Sequence, residues 1–160
     1  MVKVERPSAR GTDSGFTLIM GDFGALASLF VTALLAATVL PAQSEFLLAG
    51  LHLTGAHSRY TLIAVATAGN VLGSVVNWVL GRYLIHFRDR HWFPIKGPVL
   101  ERATRFYQRW GVWTLLLAWA PVIGDPLTLV AGIFRTSPWV FVPLVTIGKA
   151  ARYWGVVTFI

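Results

Sequence analysis

Apolar residues fill two stretches that carry no charge at all, 23–44 and 60–81, and return in shorter blocks over 111–134 and in a last block over 138–160. About 20 consecutive apolar residues cross a bilayer core, and buried helices of soluble proteins seldom run so far uncharged. The pattern predicts an all-α integral membrane protein. Asp22 is the expected N-cap of a helix starting at Phe23, so residues 1–22, with Lys3, Arg6 and Arg10, read as a mobile N-terminal tail. That helix runs into Pro41, which removes a donor and disfavours helix before it. The next apolar block, 46–53, is too short to span, and His52, Thr54, Gly55, His57 and Ser58 make an interfacial loop. Residues 23–58 therefore read as a re-entrant hairpin, with one full span over 23–44 as the other reading.

The block 60–81 is the best complete span. Gly69, Gly73, Asn77 and Gly81 recur every four residues, a ridge that lets helices approach closely. Asn70 and Asn77 are candidates either for packing or for binding. The segment 82–109 is polar and basic: Arg82, Arg88, Arg90, Lys96, Arg102, Arg105 and Arg109 stand against Asp89 and Glu101. The positive-inside rule places it in the cytoplasm. Within it, Pro98 suits the first turn of an amphipathic helix whose apolar stripe is Val99, Ala103, Phe106 and Trp110. Arg82, Arg102, Arg105 and Arg109 then face lipid headgroups, either to anchor the surface or to capture substrate.

A second hairpin is expected over 111–135, since the arms 111–120 and 127–134 are each too short to span. Its break holds Pro121, Gly124, Asp125 and Pro126, and Asp125 stands four after Pro121 as Glu45 stands four after Pro41. Ser137 and Pro138 open the last span, which carries Lys149 and Arg152 well inside, with Tyr153 beside them. Charges at such depth need partners. The pairings open to them are Glu45 with Lys149 or Asp125 with Arg152, as structural ion pairs or as a transport site. Trp92, Trp110, Trp139 and Trp154 suit interfacial anchoring.

The two halves superpose. Pro41 to Gly69 is 28 positions and Pro121 to Gly148 is 27, and each half is a hairpin followed by one span. A hairpin returns to the side it entered and the span crosses, so the second half enters from the opposite face. That is an inverted repeat, in which transporters place sites near the midplane. The expected architecture is one membrane domain, 23–160, of two re-entrant helical hairpins plus spanning helices.

Composition narrows the chemistry. The chain is 55% hydrophobic and 13% charged, where soluble domains carry about a quarter. The net charge of +7 flanks apolar spans, which argues for membrane orientation and against nucleic acid. With no cysteine, disulfides and thiolate sites are excluded, and His86 and His91 are spaced poorly for a helical metal site. No metal and no cofactor are expected.

LPAQSE at 40–45, GNVLGSVVNWVLGR at 69–82, WAPVIGD at 119–125, AG at 131–132 and GKAARY at 148–153 together resemble the YqaA-like branch of the DedA superfamily, also called the SNARE-associated Golgi or VTT-domain family. The resemblance covers about residues 23–155. It implies two opposed re-entrant hairpins, an inner-membrane location, and lipid translocation or scrambling. Bacterial relatives of that superfamily are implicated in recycling undecaprenyl phosphate with dependence on the proton gradient. Glu45 matches the family's acidic residue at the first tip. Typical DedA proteins carry two arginines at the second tip; Ala118 and Gly124 stand there here, and Asp125 takes the tip, as in YqaA-like sequences. Lys149, Arg152 or the loop arginines are the candidate replacements.

The reading is a lipid transporter or scramblase, not an enzyme, for an anionic lipid such as a polyprenyl phosphate or a phospholipid. Glu45, Asp125, Lys149, Arg152, Asn70 and Asn77 form the transport or substrate-binding site, with protons as the coupling ion and a homo-oligomer as one possible assembly. Three other readings stand beside it. One is an accessory or assembly protein without transport. Another is a small-ion or proton transporter. The third is an intramembrane aspartyl-type enzyme, disfavoured because Val122 replaces the first glycine of a GxGD motif and a second Tyr-Asp motif is missing.

Overall fold

The computed structural model describes residues 11–36, 43–83, 97–120 and 123–159, with side chains from residue 21 onward. Pro41, Pro121, His86, Arg88, Asp89, Arg90, His91, Trp92 and Lys96 lie outside the described residues. In chain order the elements are α1 (Gly11–Ala36), α2 (Gln43–Leu53), α3 (Arg59–Tyr83), α4 (Gly97–Trp110), a 3-10 segment (Gly111–Trp119), α5 (Gly124–Ile133) and α6 (Pro138–Phe159). Among the described residues there is no strand. α3 and α6 are long and apolar enough to cross a membrane. α2 and α5 rise only about 16 and 15 Å at 1.5 Å per residue, and the 3-10 segment about 18 Å, all short of the roughly 30 Å core.

The N-terminal boundary differs from expectation. α1 already begins at Gly11, so Asp22 lies inside the helix and does not cap its start. His57 Nε2, in the turn after α2, lies 3.7 Å from the Asp22 Oδ1. The last helix does start where Ser137-Pro138 places it. Proline at a first helical position gives up only a donor that has no partner there.

Two apolar cores form. One gathers Leu29 and Ala33 of α1, Leu48 of α2, Leu62 and Ala66 of α3, and Tyr153 and Val157 of α6. The other gathers α4, the 3-10 segment, α5 and the first half of α6, including Leu115, Leu127, Phe141 and Val145. The glycine ridge on α3 serves packing. A Cβ on Gly69 would strike the carbonyl oxygen of Phe30 in α1. On Gly81 it would strike that of Leu129 in α5, while one on Gly132 of α5 would strike that of Trp78 in α3. Gly81 and Gly132 therefore seat α3 and α5 backbone to backbone.

α4 shows a second difference. Its buried face is Leu100, Ala103 and Tyr107, whereas Val99 and Trp110 of the expected stripe are 40% and 58% exposed. The buried line is rotated away from the expected one, and only Ala103 belongs to both. Tyr107 stacks on Phe134 with ring centroids 5.2 Å apart and shares a hydrogen bond with the Thr136 hydroxyl. Trp78 Nε1 donates to the Thr136 carbonyl at 3.1 Å, so α3 and α4 both hold the α5–α6 turn. Gly111, with φ +64, lets the chain leave α4 directly into the 3-10 segment.

Candidate functional site

The site sits where the two cores meet, on a face of α6. Lys149, Arg152 and Tyr153 share about one turn of that helix, so their side chains leave from neighbouring positions. Opposite them stand the first turns of α2 and α5. Glu45 and Asp125 are not in loop tips, as their sequence positions suggest, but in those first turns. A carboxylate there is favoured by the unpaired N–H groups and the positive end of the helix dipole. Gly124 makes the α5 turn possible, since a Cβ on it would overlap the carbonyl of Ala118 in the arm behind. Pro126 lies in the same first turn, where a missing N–H costs nothing.

Both cations meet acids. Arg152 Nε donates to Glu45 Oε1 across 107 positions of sequence. Lys149 Nζ lies 3.4 Å from Asp125 Oδ1. The pairing is the reverse of the two combinations read from sequence: Lys149 takes Asp125 and Arg152 takes Glu45. The reason is the approach of the elements. α2 reaches α6 at Arg152 and Tyr153, while the α5 start lies one turn back at Lys149.

Asn70 links Lys149 to Tyr153. Its Oδ1 accepts from Lys149 Nζ, and its Nδ2 donates to the Tyr153 hydroxyl at 2.7 Å. That hydroxyl is also 3.0 Å from Ser44 Oγ, next to Glu45. Ser44 and Tyr153 were not among the expected site residues. The signals for them were slight: Ser44 adjoins an acid at a break, and Tyr153 is one turn from Lys149. Asn77 is buried two turns further along α3, about 10 Å away along the axis.

Burial separates the two pairs. Lys149 is 3% exposed and Asp125 24%, whereas Arg152 is 13% and Glu45 27% exposed. A cavity of about 330 Å³ opens beside Arg152, lined also by Trp119, Ala151, Gly155 and Val156. One cation is thus enclosed and the other borders open space. The arginines expected at headgroups lie elsewhere. Arg82 ends α3 with its guanidinium 5.1 Å from the Trp78 ring, and Arg102, Arg105 and Arg109 are exposed on α4.

Residues 14–160 match the VTT domain. The chain belongs to the VTT-domain, or DedA, family. As a VTT-domain protein it is membrane-embedded, in keeping with α3 and α6. It is 39% identical over 134 residues to the inner membrane protein YqaA of Escherichia coli, covering 84% of this chain and 89% of that one. An uncharacterised protein of Haemophilus influenzae is 31% identical over 148 residues, 86% and 90% of the two chains. Undecaprenyl phosphate transporter A of Staphylococcus aureus is 29% identical over 152 residues, 88% of this chain and 74% of that one. No solved structure gives a significant match. The general role supported for this VTT-domain chain is membrane transport.

Proposed function

We propose that this inner-membrane VTT-domain protein moves an anionic lipid across the bilayer, with the Glu45–Arg152 and Asp125–Lys149 pairs as its headgroup site. The observation that carries the reading is the buried cluster itself. Two cations and two acids drawn together against a helix long and apolar enough to span are costly without a task or a strong structural need. A phosphate competes with carboxylates for the same donors. Arg152, which borders the open cavity, is the first contact; Lys149 is reached when Asp125 gives way. Each displaced acid is then free to take a proton, which couples lipid movement to the proton gradient. The polyprenyl phosphate class is favoured by the likeness to the undecaprenyl phosphate transporter of S. aureus.

On this reading α1–α2 and the 3-10 segment with α5 are two re-entrant hairpins of an inverted repeat. Three features support it. Gly69 of α3 backs onto the Phe30 carbonyl of α1, and Gly148 of α6 backs onto the Leu116 carbonyl of the 3-10 segment, so that a Cβ on either glycine would strike that oxygen. The residues that follow those glycines, Asn70 and Lys149, bond to each other. The acids occupy like places in the first turns of α2 and α5. The segment 82–109 is cytoplasmic, with Arg82, Arg102, Arg105 and Arg109 at headgroups. A cysteine placed at Arg102 in this Cys-free chain is expected to resist a periplasmic, membrane-impermeant thiol reagent in whole cells; labelling from that side would reverse the orientation.

The accessory-protein reading has one observation in its favour, since Lys149 is already fully engaged by Asn70 and Asp125. Flux separates the two. Glu45→Gln and Asp125→Asn, reconstituted in liposomes, are expected to insert normally and to lose polyprenyl-phosphate movement at least tenfold. Normal flux in both variants would leave the acids as structural clasps.

A further inference from the structure

α3 and α6 leave between them an apolar groove of about 580 Å³ that contains none of the four charged site residues. α6 contributes Val142, Thr146, Ala150 and Trp154, one per turn, and α3 contributes the face from Tyr60 to Val75. That face is about 22 Å long at 1.5 Å per residue, more than one leaflet of a roughly 30 Å core. Small residues shape it: Ala64 and Ala68 are exposed along its length. Its volume falls in the range of about 300–1,000 Å³ usual for ligand sites. Thr67, 7% exposed, lies in the wall with a hydroxyl that has no hydrogen-bond partner among the described residues.

One end of the groove carries a charge. The Tyr60 and Trp154 rings meet there, with centroids 6.0 Å apart. The Arg59 guanidinium lies over both, 5.1 Å from the Tyr60 ring and 6.0 Å from the Trp154 ring, and donates to the Tyr60 hydroxyl at 3.3 Å. No carboxylate pairs with Arg59 among the described residues. Aromatic rings with an arginine at the end of a spanning helix mark the headgroup level of a membrane. The end at Arg59 is opposite to the end of α3 that carries Arg82.

We propose that this groove holds an acyl chain of an anionic phospholipid whose phosphate sits on Arg59. The chain fills an apolar trough that faces the bilayer, and the phosphate supplies the anion that Arg59 lacks. A helix from a second copy would fill the trough and leave the arginine without that anion. The site is separate from the ion-pair cluster, so it rests on the lipid reading above but not on transport.

Native mass spectrometry of the full chain, extracted in a neutral detergent and given dioleoyl phosphatidylglycerol or dioleoyl phosphatidylcholine, tests it. The wild type is expected to retain phosphatidylglycerol over phosphatidylcholine. Arg59→Gln should lower phosphatidylglycerol retention about fivefold, the worth of one arginine at a lipid surface, with phosphatidylcholine unchanged. Ala68→Trp, at an exposed position, should lower retention of both lipids, and Ala64→Leu should do so to a smaller degree. Equal retention of the two lipids by the wild type would overturn the proposal. So would unchanged retention in both groove variants, or a dimer that Ala68→Trp dissolves. Retention that follows Arg59 and Ala68 in a wild type without flux would sink transport and leave the groove standing.

Discussion

Lys149→Met is expected to cost about 3–5 kcal/mol of stability in detergent and to abolish lipid flux. That range is typical of breaking one side of a buried pair, because the remaining charge has no partner. Here the charge left behind is Asp125, 24% exposed, and the Asn70 carbonyl oxygen also loses its donor. The double variant Lys149→Met with Asp125→Leu should recover part of the loss, since replacing both members of such a pair by apolar residues is often neutral or better. Recovery stays incomplete because Asn70 Oδ1 is still without its lysine. Flux should not return. Thermal unfolding of the four proteins gives the coupling between the two positions. The Arg152–Glu45 cycle should show coupling as well, and the crossed cycles, Lys149 with Glu45 and Arg152 with Asp125, should show less. Strictly additive effects for Lys149 and Asp125 would remove the pair from any account of the site.

Gly132→Val should cost about 3 kcal/mol, at the upper end of the usual overpacking range. The new Cβ would fall on the Trp78 carbonyl oxygen, with the amide of Arg82 also close by. Those are backbone atoms of a helix, so no rotamer change can relieve the clash and α3 must move off α5. Gly81→Ala should act in the same direction, against the Leu129 carbonyl. Because α5 carries Asp125 and α3 carries Asn70, separating them should also weaken the link to Lys149 and lower flux. Gly50→Ala on α2 is the control. A Cβ there meets nothing within 4 Å, so the change should be neutral or gain up to about 1 kcal/mol from helix propensity. Equal melting temperatures for Gly132→Val and the wild type would show that the two helices are not held backbone to backbone.

The chain's own residues determined that it enters a membrane and that its deep charges must meet. The uncharged stretches 23–44 and 60–81 leave little else. Lys149 and Arg152, three apart in an apolar block, could find acids at comparable depth only in Glu45 and Asp125. The ridge Gly69, Gly73, Asn77 and Gly81 likewise announced a close-packed face, because three of its four positions are glycine. Which cation takes which acid was not legible. Both pairings satisfy the same charges, and the choice rests on where α2 and α5 arrive along α6. Ser44 and Tyr153 were obscure for the same reason, since their contact joins residues 109 positions apart. The face of α4 was misjudged because lipid and protein are both apolar partners. Val99 and Trp110 satisfy the helical period as well as Leu100 and Tyr107 do, and only packing against α5 and the 3-10 segment buries the second set. The start of α1 escaped the capping signal at Asp22 because aspartate is only mildly unfavourable inside a helix, and this helix has already begun at Gly11. The apolar pattern thus enclosed each charge in an uncharged block, and the tertiary arrangement decided its neighbour, because electrostatic pairing depends on distances that sequence separation does not encode.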